Sequence, residues 1–140
     1  MQDRSGDAEV AIGEADIVIC TTSSDTAIFD GSLVRDGAIV AAVGTHGRER
    51  REIDDALVQR ADLVVEGRAS ARRENGNLAT ALTDLDWDSE SRPTNLRELV
   101  GGDMTRRPGR PAFYTGVGMS WEDLICAAAV FAEGRLESRR

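Results

Sequence analysis

Residues 38–66 read AIVAAVGTHGRERREIDDALVQRADLVVE, and this stretch decides the fold class. It begins with the apolar run 38–43 and ends with a second apolar run, 62–66. Between the two runs, residues 53–61 carry apolar side chains at helical spacing. A strand, a helix and a strand joined by short connections form a βαβ unit, which makes the two strands parallel and the crossover right-handed.

The sequence on either side extends this pattern. Residues 16–20 form another β-branched run, and residues 112–115 form a brief strand. Runs without polar alternation are typical of strands that are covered on both faces, as in a parallel sheet. The sequence therefore predicts an α/β fold with an open parallel sheet and flanking helices.

Shorter segments complete the prediction. Short helices are expected at 69–74, where Asn75 and Gly76 follow, and at 95–100, where Asn95 and Glu98 have capping-box spacing. Residues 84–93 and 103–111 are polar and contain proline, so we expect loops there. A last helix starts at Ser120, has Asp123 at capping-box spacing, and is apolar nearly all round. We expect that helix to pack against the sheet.

Length and composition indicate a single domain. The chain has 140 residues, and we assign 1–9 to a frayed start, 10–132 to the domain and 133–140 to a charged tail. Its formal net charge is −8, which excludes nucleic acid and an acidic membrane surface as partners. All 17 basic residues are Arg, so chemistry that requires a lysine amine is also excluded. The polar N-terminus is unlike a signal peptide, and no apolar run reaches the ~20 residues of a membrane helix, so a cytoplasmic protein is predicted.

The sequence carries two cysteines and one histidine. Cys20 and Cys126 lie far apart, each within an apolar run, and we expect both to be buried free thiols. One histidine and two separated cysteines give no zinc-type spacing, so no metal site is predicted.

In open parallel sheets, ligands bind beyond the carboxyl ends of the strands. The loop at 21–25 is the first candidate there, because its hydroxyl residues can donate hydrogen bonds to a ribose or a nicotinamide. The alternative is a helix N-cap, in which the same side chains satisfy free amides.

The loop at 44–50 is the second candidate. Gly44 allows a ligand to approach the backbone closely, and His46 is the one side chain here that titrates near neutrality. Arginines at 48, 50 and 51 could hold a pyrophosphate or a carboxylate. The alternative is a solvated turn in which these arginines pair with Glu49, Glu52, Asp54 and Asp55.

The third candidate is the glycine-rich turn at 115–119, which opens the last helix. Glu122 and Asp123 lie in the first turn of that helix, where they compete with an anion for its free amides. The turn therefore does not favour a phosphate site.

Four stretches, taken in order, resemble one family. They are 15–24 (ADIVICTTSS), 42–55 (AVGTHGRERREIDD), 63–78 (LVVEGRASARRENGNL) and 114–124 (YTGVGMSWEDL). They are similar to the ornithine cyclodeaminase/mu-crystallin family. The resemblance implies an NAD(P)-binding Rossmann domain joined to a substrate domain in a homodimer. It also implies an oxidoreductase or deaminating cyclase that acts on amino acids or cyclic imines, with NAD or NADP as cofactor.

The resemblance also implies roles for individual residues. The cofactor-binding positions are Thr21, Thr22, Val43, Gly44, Thr45, Arg50 and Gly116, and Val117 lies on the substrate side. His46 stands where ornithine cyclodeaminases have the aspartate that binds the distal amine of the substrate, so it becomes the catalytic and substrate-binding candidate. A histidine cannot offer that amine a permanent negative charge, which favours the ketimine-reductase branch.

The front of the family pattern has no counterpart in this sequence. The Gly-x-Gly-x-x-Gly turn and the substrate domain are both missing from the resemblance. We therefore expect a partial Rossmann-like domain, a truncated family member that is inactive alone. Its sheet should have an unpaired edge and an uncovered apolar face. The alternative is a non-catalytic interaction module that docks on a separately encoded front half or on a full-length relative.

Overall fold

The structure is a computed structural model that describes residues 8–90 and 92–137. Its centre is a five-stranded sheet in the order β1-β2-β5-β3-β4, and every neighbouring pair is parallel. The strands are β1 (Ile17–Cys20), β2 (Ile39–Ala42), β3 (Asp62–Val65), β4 (Thr94–Asn95) and β5 (Ala112–Thr115). The predicted α/β fold with an open parallel sheet is confirmed.

The strands of the βαβ unit are parallel, as predicted, but they are not neighbours. Strand β5 lies between them, and its Ala112 is in register with Ile39 of β2 on one side and with Asp62 of β3 on the other. The last strand in the chain therefore occupies the middle of the sheet, and its Phe113 is fully buried.

Helices surround the sheet. They are α1 (Ala8–Glu14), α2 (Asp55–Arg60), α3 (Arg68–Glu74), α4 (Gly76–Ala79), α5 (Asp84–Asp88), α6 (Leu96–Gly101) and α7 (Ser120–Glu137), with a 3-10 turn at Gly31–Leu33. The capping box at the start of α6 has both of its predicted hydrogen bonds, and Gly102 ends the helix with a φ of 82°. Of the expected frayed start, residues 1–7 lie outside the described residues, as do residues 138–140 of the expected tail.

The prediction of a loop at 84–93 is wrong in its first half, where α5 forms. Thr83 and Asp86 supply a capping box, in which the Thr83 N–H donates to Asp86 Oδ2 at 2.7 Å. Trp87 then turns inward and joins the core. The abundance of aspartate in this segment obscured its helical signal, because aspartate is a poor helix former in general but a good one in the first turn.

The core lies on one face of the sheet. Val40 and Phe113 point from β2 and β5 towards Ile53, Leu57 and Leu78, and all five are fully buried. Burial of such side chains is the main favourable term in folding.

The other face is open on the β1 side. Strand β1 pairs only with β2 among the described residues, so one of its edges is unpaired. Side chains alternate along a strand and Ile17 is in register with Ile39, so Ile17, Ile19 and Ile39 share this face. They are 62%, 67% and 43% exposed, respectively. The expected unpaired edge and uncovered apolar face are both present.

The expectation that the last helix packs against the sheet is wrong. Along α7, Leu124 is 67% exposed and Ile125 is 60% exposed. Its predicted cap is also shifted by one residue, because Glu122 rather than Asp123 reaches back, accepting the Met119 N–H at 3.3 Å. An apolar surface all round a helix indicates burial, but it does not specify which part of the protein or of a partner packs against the helix. Within the described parts of the chain, neither α7 nor any other helix is long and apolar enough to cross a membrane.

The two thiols differ, against the prediction that both are buried. Cys20 is buried and Cys126 is exposed on α7. Burial, assisted by the charge of Glu52, raises the pKa of Cys20 to about 11. Because the thiolate is the reactive form, we expect a thiol-specific chromogenic reagent at pH 8 to modify one thiol rapidly. Replacing Cys126 with serine should abolish that rapid phase, and a rapid phase that persists would contradict the burial of Cys20.

Candidate functional site

The carboxyl ends of parallel strands meet at one edge of the sheet, and the sequence-predicted residues assemble there. Thr21 and Thr22 follow β1, the segment 43–46 follows β2, and Gly116 and Val117 follow β5. Since β1, β2 and β5 are adjacent in the sheet, the three loops lie side by side. We refer to this region as the strand-end edge.

A buried carboxylate joins the first two loops. Glu52 is 0% exposed, and its Oε1 accepts the N–H of Thr22 at 2.5 Å and the hydroxyl of Thr22 at 2.8 Å. Its Oε2 accepts the N–H of Gly44 at 3.0 Å. One side chain therefore sets the spacing between the loop after β1 and the loop after β2.

Gly44 lies where these loops touch. A Cβ at this position would be 2.2 Å from Thr22 O and 2.4 Å from Thr22 N, which no side chain can tolerate. The glycine is thus required by the contact between two backbone segments. The close approach of a ligand to the Gly44 backbone stays a prediction. Gly44 is exposed, so its backbone is open to such an approach.

Two buried asparagines extend the hydrogen-bond network to β5. Asn77 Oδ1 accepts the N–H groups of Glu52 at 2.7 Å and Ile53 at 3.0 Å. The amide nitrogens of Asn75 and Asn77 donate to Thr115 Oγ1 at 2.9 and 3.0 Å. Asn75 Oδ1 has no hydrogen-bond partner among the described residues. The network links the ends of β1, β2 and β5 into one unit.

A second carboxylate holds the glycine-rich turn. Glu66, at the end of β3, accepts the N–H of Val117 at 3.0 Å and the N–H of Gly118 at 3.2 Å. These are the amides that an anion would use in a phosphate-binding turn. The protein's own carboxylate already occupies them.

Tyr114 is the only tyrosine of the chain, so its titration can be read directly. Burial, together with the charges of Glu66 and Glu122, raises the pKa of Tyr114 to about 12. We expect absorbance at 295 nm to show this titration in the folded protein, and a midpoint near 10 in 8 M urea. The folded state holds this proton more tightly, so stability should fall as pH rises from about 10 to about 12. A midpoint near 10 in the folded protein would contradict this environment.

His46 connects the second loop to the third. Its Nδ1 lies 3.2 Å from Val117 O, and the side chain is exposed. A carbonyl oxygen can only accept, so Nδ1 carries the proton in this contact. Nε2 is therefore the nitrogen that is left to exchange a proton with a ligand.

The arginines of the second loop do not converge. Arg50 Nε lies 3.2 Å from Asp25 Oδ1 in an exposed pair, Arg48 donates to Arg72 O at 2.7 Å, and Arg51 Nη2 pairs with Asp55 at 2.7 Å. The alternative of a solvated, ion-paired turn is right for Arg51 and Asp55.

That alternative is wrong for Glu52 and Asp54, which do not pair with these arginines. Glu52 is buried and accepts the N–H groups of Thr22 and Gly44. Asp54 caps α2 by accepting the Leu57 N–H at 3.0 Å. The N-cap alternative for 21–25 is also wrong, because no helix begins there. Ser24 instead makes local turn bonds, donating its hydroxyl to Thr26 O at 2.7 Å.

Sequence reasoning missed the polar residues that hold the strand-end edge together. Glu66 could have been found, since it ends the apolar run 62–66, and ligands bind beyond the carboxyl ends of such strands. Glu52 gave no signal, because it lies in a charged run and looks like any solvated glutamate. The missed residues are Glu52, Glu66, Asn75, Asn77 and Thr115.

Comparison with known proteins now identifies the family. The family model described as "Ornithine cyclodeaminase/mu-crystallin family" matches residues 3–138, nearly the whole chain. The chain belongs to this family. Among family relatives, the chain is 31% identical over 121 residues to the ketimine reductase mu-crystallin of Rattus norvegicus, covering 86% of this chain and 36% of that protein. It is 33% identical over 125 residues to a Delta(1)-pyrroline-2-carboxylate/Delta(1)-piperideine-2-carboxylate reductase of Azospirillum brasilense, covering 89% and 37%.

A solved family structure shares the fold. The Delta(1)-pyrroline-2-carboxylate reductase of Thermococcus litoralis, in complex with NADH and L-proline, superimposes with a TM-score of 0.81 at 25% identity. The match covers 94% of this chain and 41% of that one. The chain thus spans little more than a third of the length of the family relatives it matches.

Proposed function

We propose that this chain corresponds to the C-terminal part of an NAD(P)-dependent oxidoreductase that acts on amino acids or cyclic imines, and that it is inactive alone. The observation that carries the proposal is the assembly of three loops at one strand-end edge, tied by Glu52 and by the contact between His46 and Val117. Membership in a family of NAD(P)-dependent reductases and cyclodeaminases supports it.

The residues of the edge fit the nicotinamide end of a dinucleotide and do not fit its diphosphate. The backbone N–H groups of Thr22, Gly44, Val117 and Gly118 already donate to Glu52 and Glu66, which leaves no anion cradle. An uncharged wall remains, which includes Val43, 48% exposed. When bound, the nicotinamide carries the hydride that reduces or oxidises the substrate.

In this proposal each candidate residue has a place. Thr21, Thr22, Val43, Gly44 and Thr45 line the ring and its ribose, and Gly116 and Val117 close the pocket on the substrate side. Arg50 stands at the rim, paired with Asp25.

His46 is the proposed proton carrier. Reduction of an imine adds a hydride to carbon and a proton to nitrogen, and Nε2 of a protonated His46 can supply that proton. The imidazole offers no permanent negative charge to a distal ammonium. The proposal therefore assigns a cyclic ketimine or a related imine as the substrate class.

A chimera tests this function. The front part of the Azospirillum brasilense reductase, joined to this chain, should bind NADH and reduce Delta(1)-pyrroline-2-carboxylate. His46→Ala in the chimera should lower kcat by about 10²-fold or more, with Glu49→Ala as the control on the same loop. The chain alone should bind NADH more weakly than about millimolar. A folded chimera that binds no NADH would contradict the proposed cofactor role, and tight binding by the chain alone would contradict inactivity in isolation.

A second candidate is a non-catalytic interaction module that docks on a separately encoded front half or a full-length relative. The unpaired edge of β1 and the exposed Ile17, Ile19 and Ile39 favour it, because an open edge and an apolar face invite a strand and a helix from another chain.

Co-purification tests this alternative. The front part of the same reductase, expressed as a separate tagged chain, should retain the protein. The double substitution Ile17→Lys and Ile19→Lys should release it, whereas Leu85→Lys, at a residue 81% exposed on α5, should not. A chain that elutes as a stable monomer without the tagged partner would contradict docking on a front half.

A further inference from the structure

One peptide unit joins Glu66 to His46. The Gly118 N–H donates to Glu66 Oε1 at 3.2 Å, and the Val117 carbonyl of the same peptide lies 3.2 Å from His46 Nδ1. This peptide is trans, so it is planar and its N–H and C=O point in opposite directions. The carboxylate therefore lies on one side of the peptide and the imidazole on the other.

The turn is shaped around the carboxylate of Glu66. Its Oε2 accepts the Val117 N–H at 3.0 Å, and a Cβ on Gly116 would lie 2.3 Å from its Oε1. The Tyr114 hydroxyl lies 3.4 Å from the same Oε1. Both oxygens accept an N–H, which is the pattern of an ionised carboxylate. Gly116 thus leaves the space that this carboxylate fills.

The backbone alone does not fix the orientation of the 117–118 peptide. Gly118 has a φ of 79°, and glycine adopts both signs of φ readily. A flip of this peptide plane, the change that separates type I from type II turns, is therefore accessible. The flip would turn the Val117 carbonyl away from His46, but it would also cost Glu66 the Gly118 N–H.

We propose that Glu66 is a positioning residue for His46: by holding the 117–118 peptide, it keeps the imidazole proton on Nδ1 and leaves Nε2 to exchange protons. Its catalytic consequence rests on the proposed function, in which His46 supplies the proton of imine reduction. A carboxylate that accepts the N–H of a peptide makes the carbonyl of that peptide a stronger acceptor, because linked hydrogen bonds polarise one another. The partner of one ring nitrogen sets the tautomer of a histidine. Without such a partner, the Nε2–H form predominates.

This positioning matters at each turnover. Reduction adds the hydride of the reduced nicotinamide to the imine carbon, and the imine nitrogen takes the proton of Nε2. The Nε2–H bond breaks, its electron pair stays on the ring, and the neutral ring keeps its proton on Nδ1. The Val117 carbonyl accepts that Nδ1–H before and after the transfer. Solvent can then return a proton to Nε2, because the side chain is exposed.

The tautomer can be measured directly, because His46 is the only histidine of the chain. The chemical shifts of both ring nitrogens are recorded on the 15N-labelled chain at about pH 9, where a histidine side chain is neutral. The wild-type chain should carry the proton mainly on Nδ1. Glu66→Ala should shift the ratio of Nδ1–H to Nε2–H about tenfold towards Nε2–H. Glu122→Ala is the control, because Glu122 holds the next amide of the turn, the Met119 N–H, and its loss should leave the ratio unchanged.

Three results overturn the proposal. A wild-type chain in which the Nε2–H form predominates does so whether or not Glu66→Ala folds. A Glu66→Ala variant that is folded by circular dichroism and keeps the wild-type ratio does so as well. An equal shift in the Glu66 and Glu122 variants is the third, because the turn as a whole would then set the tautomer.

The chimera connects the tautomer to turnover. There, Glu66→Ala should lower kcat about tenfold without changing the KM for NADH, and should cause no further loss in a His46→Ala background. Equal losses in both backgrounds overturn the positioning role. A folded chimera that binds no NADH contradicts the proposed function instead, and the spectra of the chain alone then decide the role of Glu66.

Discussion

Replacing Gly44 with alanine is expected to destabilise the fold by about 3 kcal/mol or more. The added methyl would lie 2.2 Å from Thr22 O and 2.4 Å from Thr22 N, and both atoms belong to the backbone, which cannot rotate away. The loops after β1 and β2 must separate, and Glu52 then loses one of its partners. Urea unfolding followed by circular dichroism measures the loss.

The matched control is Gly134→Ala. Gly134 lies in α7 with nothing within 4 Å of the new methyl. Alanine is the better helix former by up to about 1 kcal/mol, so this variant should be unchanged or slightly more stable. A Gly44→Ala variant as stable as Gly134→Ala would show that the two strand-end loops do not touch as described.

Leu57→Ala should cost about 3 to 4 kcal/mol. Leu57 is fully buried in α2, where it contacts the 3-10 turn at Gly31 and joins the core beneath the sheet. Truncation removes buried methyl groups and leaves a cavity that the packed sheet cannot close. The midpoint of thermal or urea unfolding should fall accordingly.

Leu85→Ala provides the comparison for that variant. Leu85 is also in a helix, α5, but it is 81% exposed, so the same truncation should change stability by no more than about 0.5 kcal/mol. If both leucine variants lost equal stability, the placement of the core on the α2 side of the sheet would be wrong.

The strands were predictable because local sequence determines them. A run such as 38–43 is short, rich in β-branched residues and free of polar ones, which favours a strand of a parallel sheet. The cap of α6 was predictable for a similar reason, since Asn95 and Glu98 act within one turn.

Spatial order was not predictable in the same way. Nothing in residues 112–115 says that they lie between β2 and β3, because sheet order depends on long-range packing rather than on local pattern. The same limit explains α7, whose apolar surface predicted burial although the covering surface was not specified. For the site, the positions of the loops followed from the strand ends. The carboxylate of Glu52 did not, because a sequence does not distinguish a buried glutamate from a solvated one.

The hydrogen bonds of Glu52 and Glu66 have a consequence for the entropy of ligand binding. Flexible loops lose conformational freedom when they close on a ligand, and this loss weakens affinity. Here the loops after β1, β2 and β5 are tied by hydrogen bonds to buried or half-buried carboxylates of the protein itself. A molecule that enters between them meets a preorganised wall, so the ordering cost falls mainly on the molecule itself.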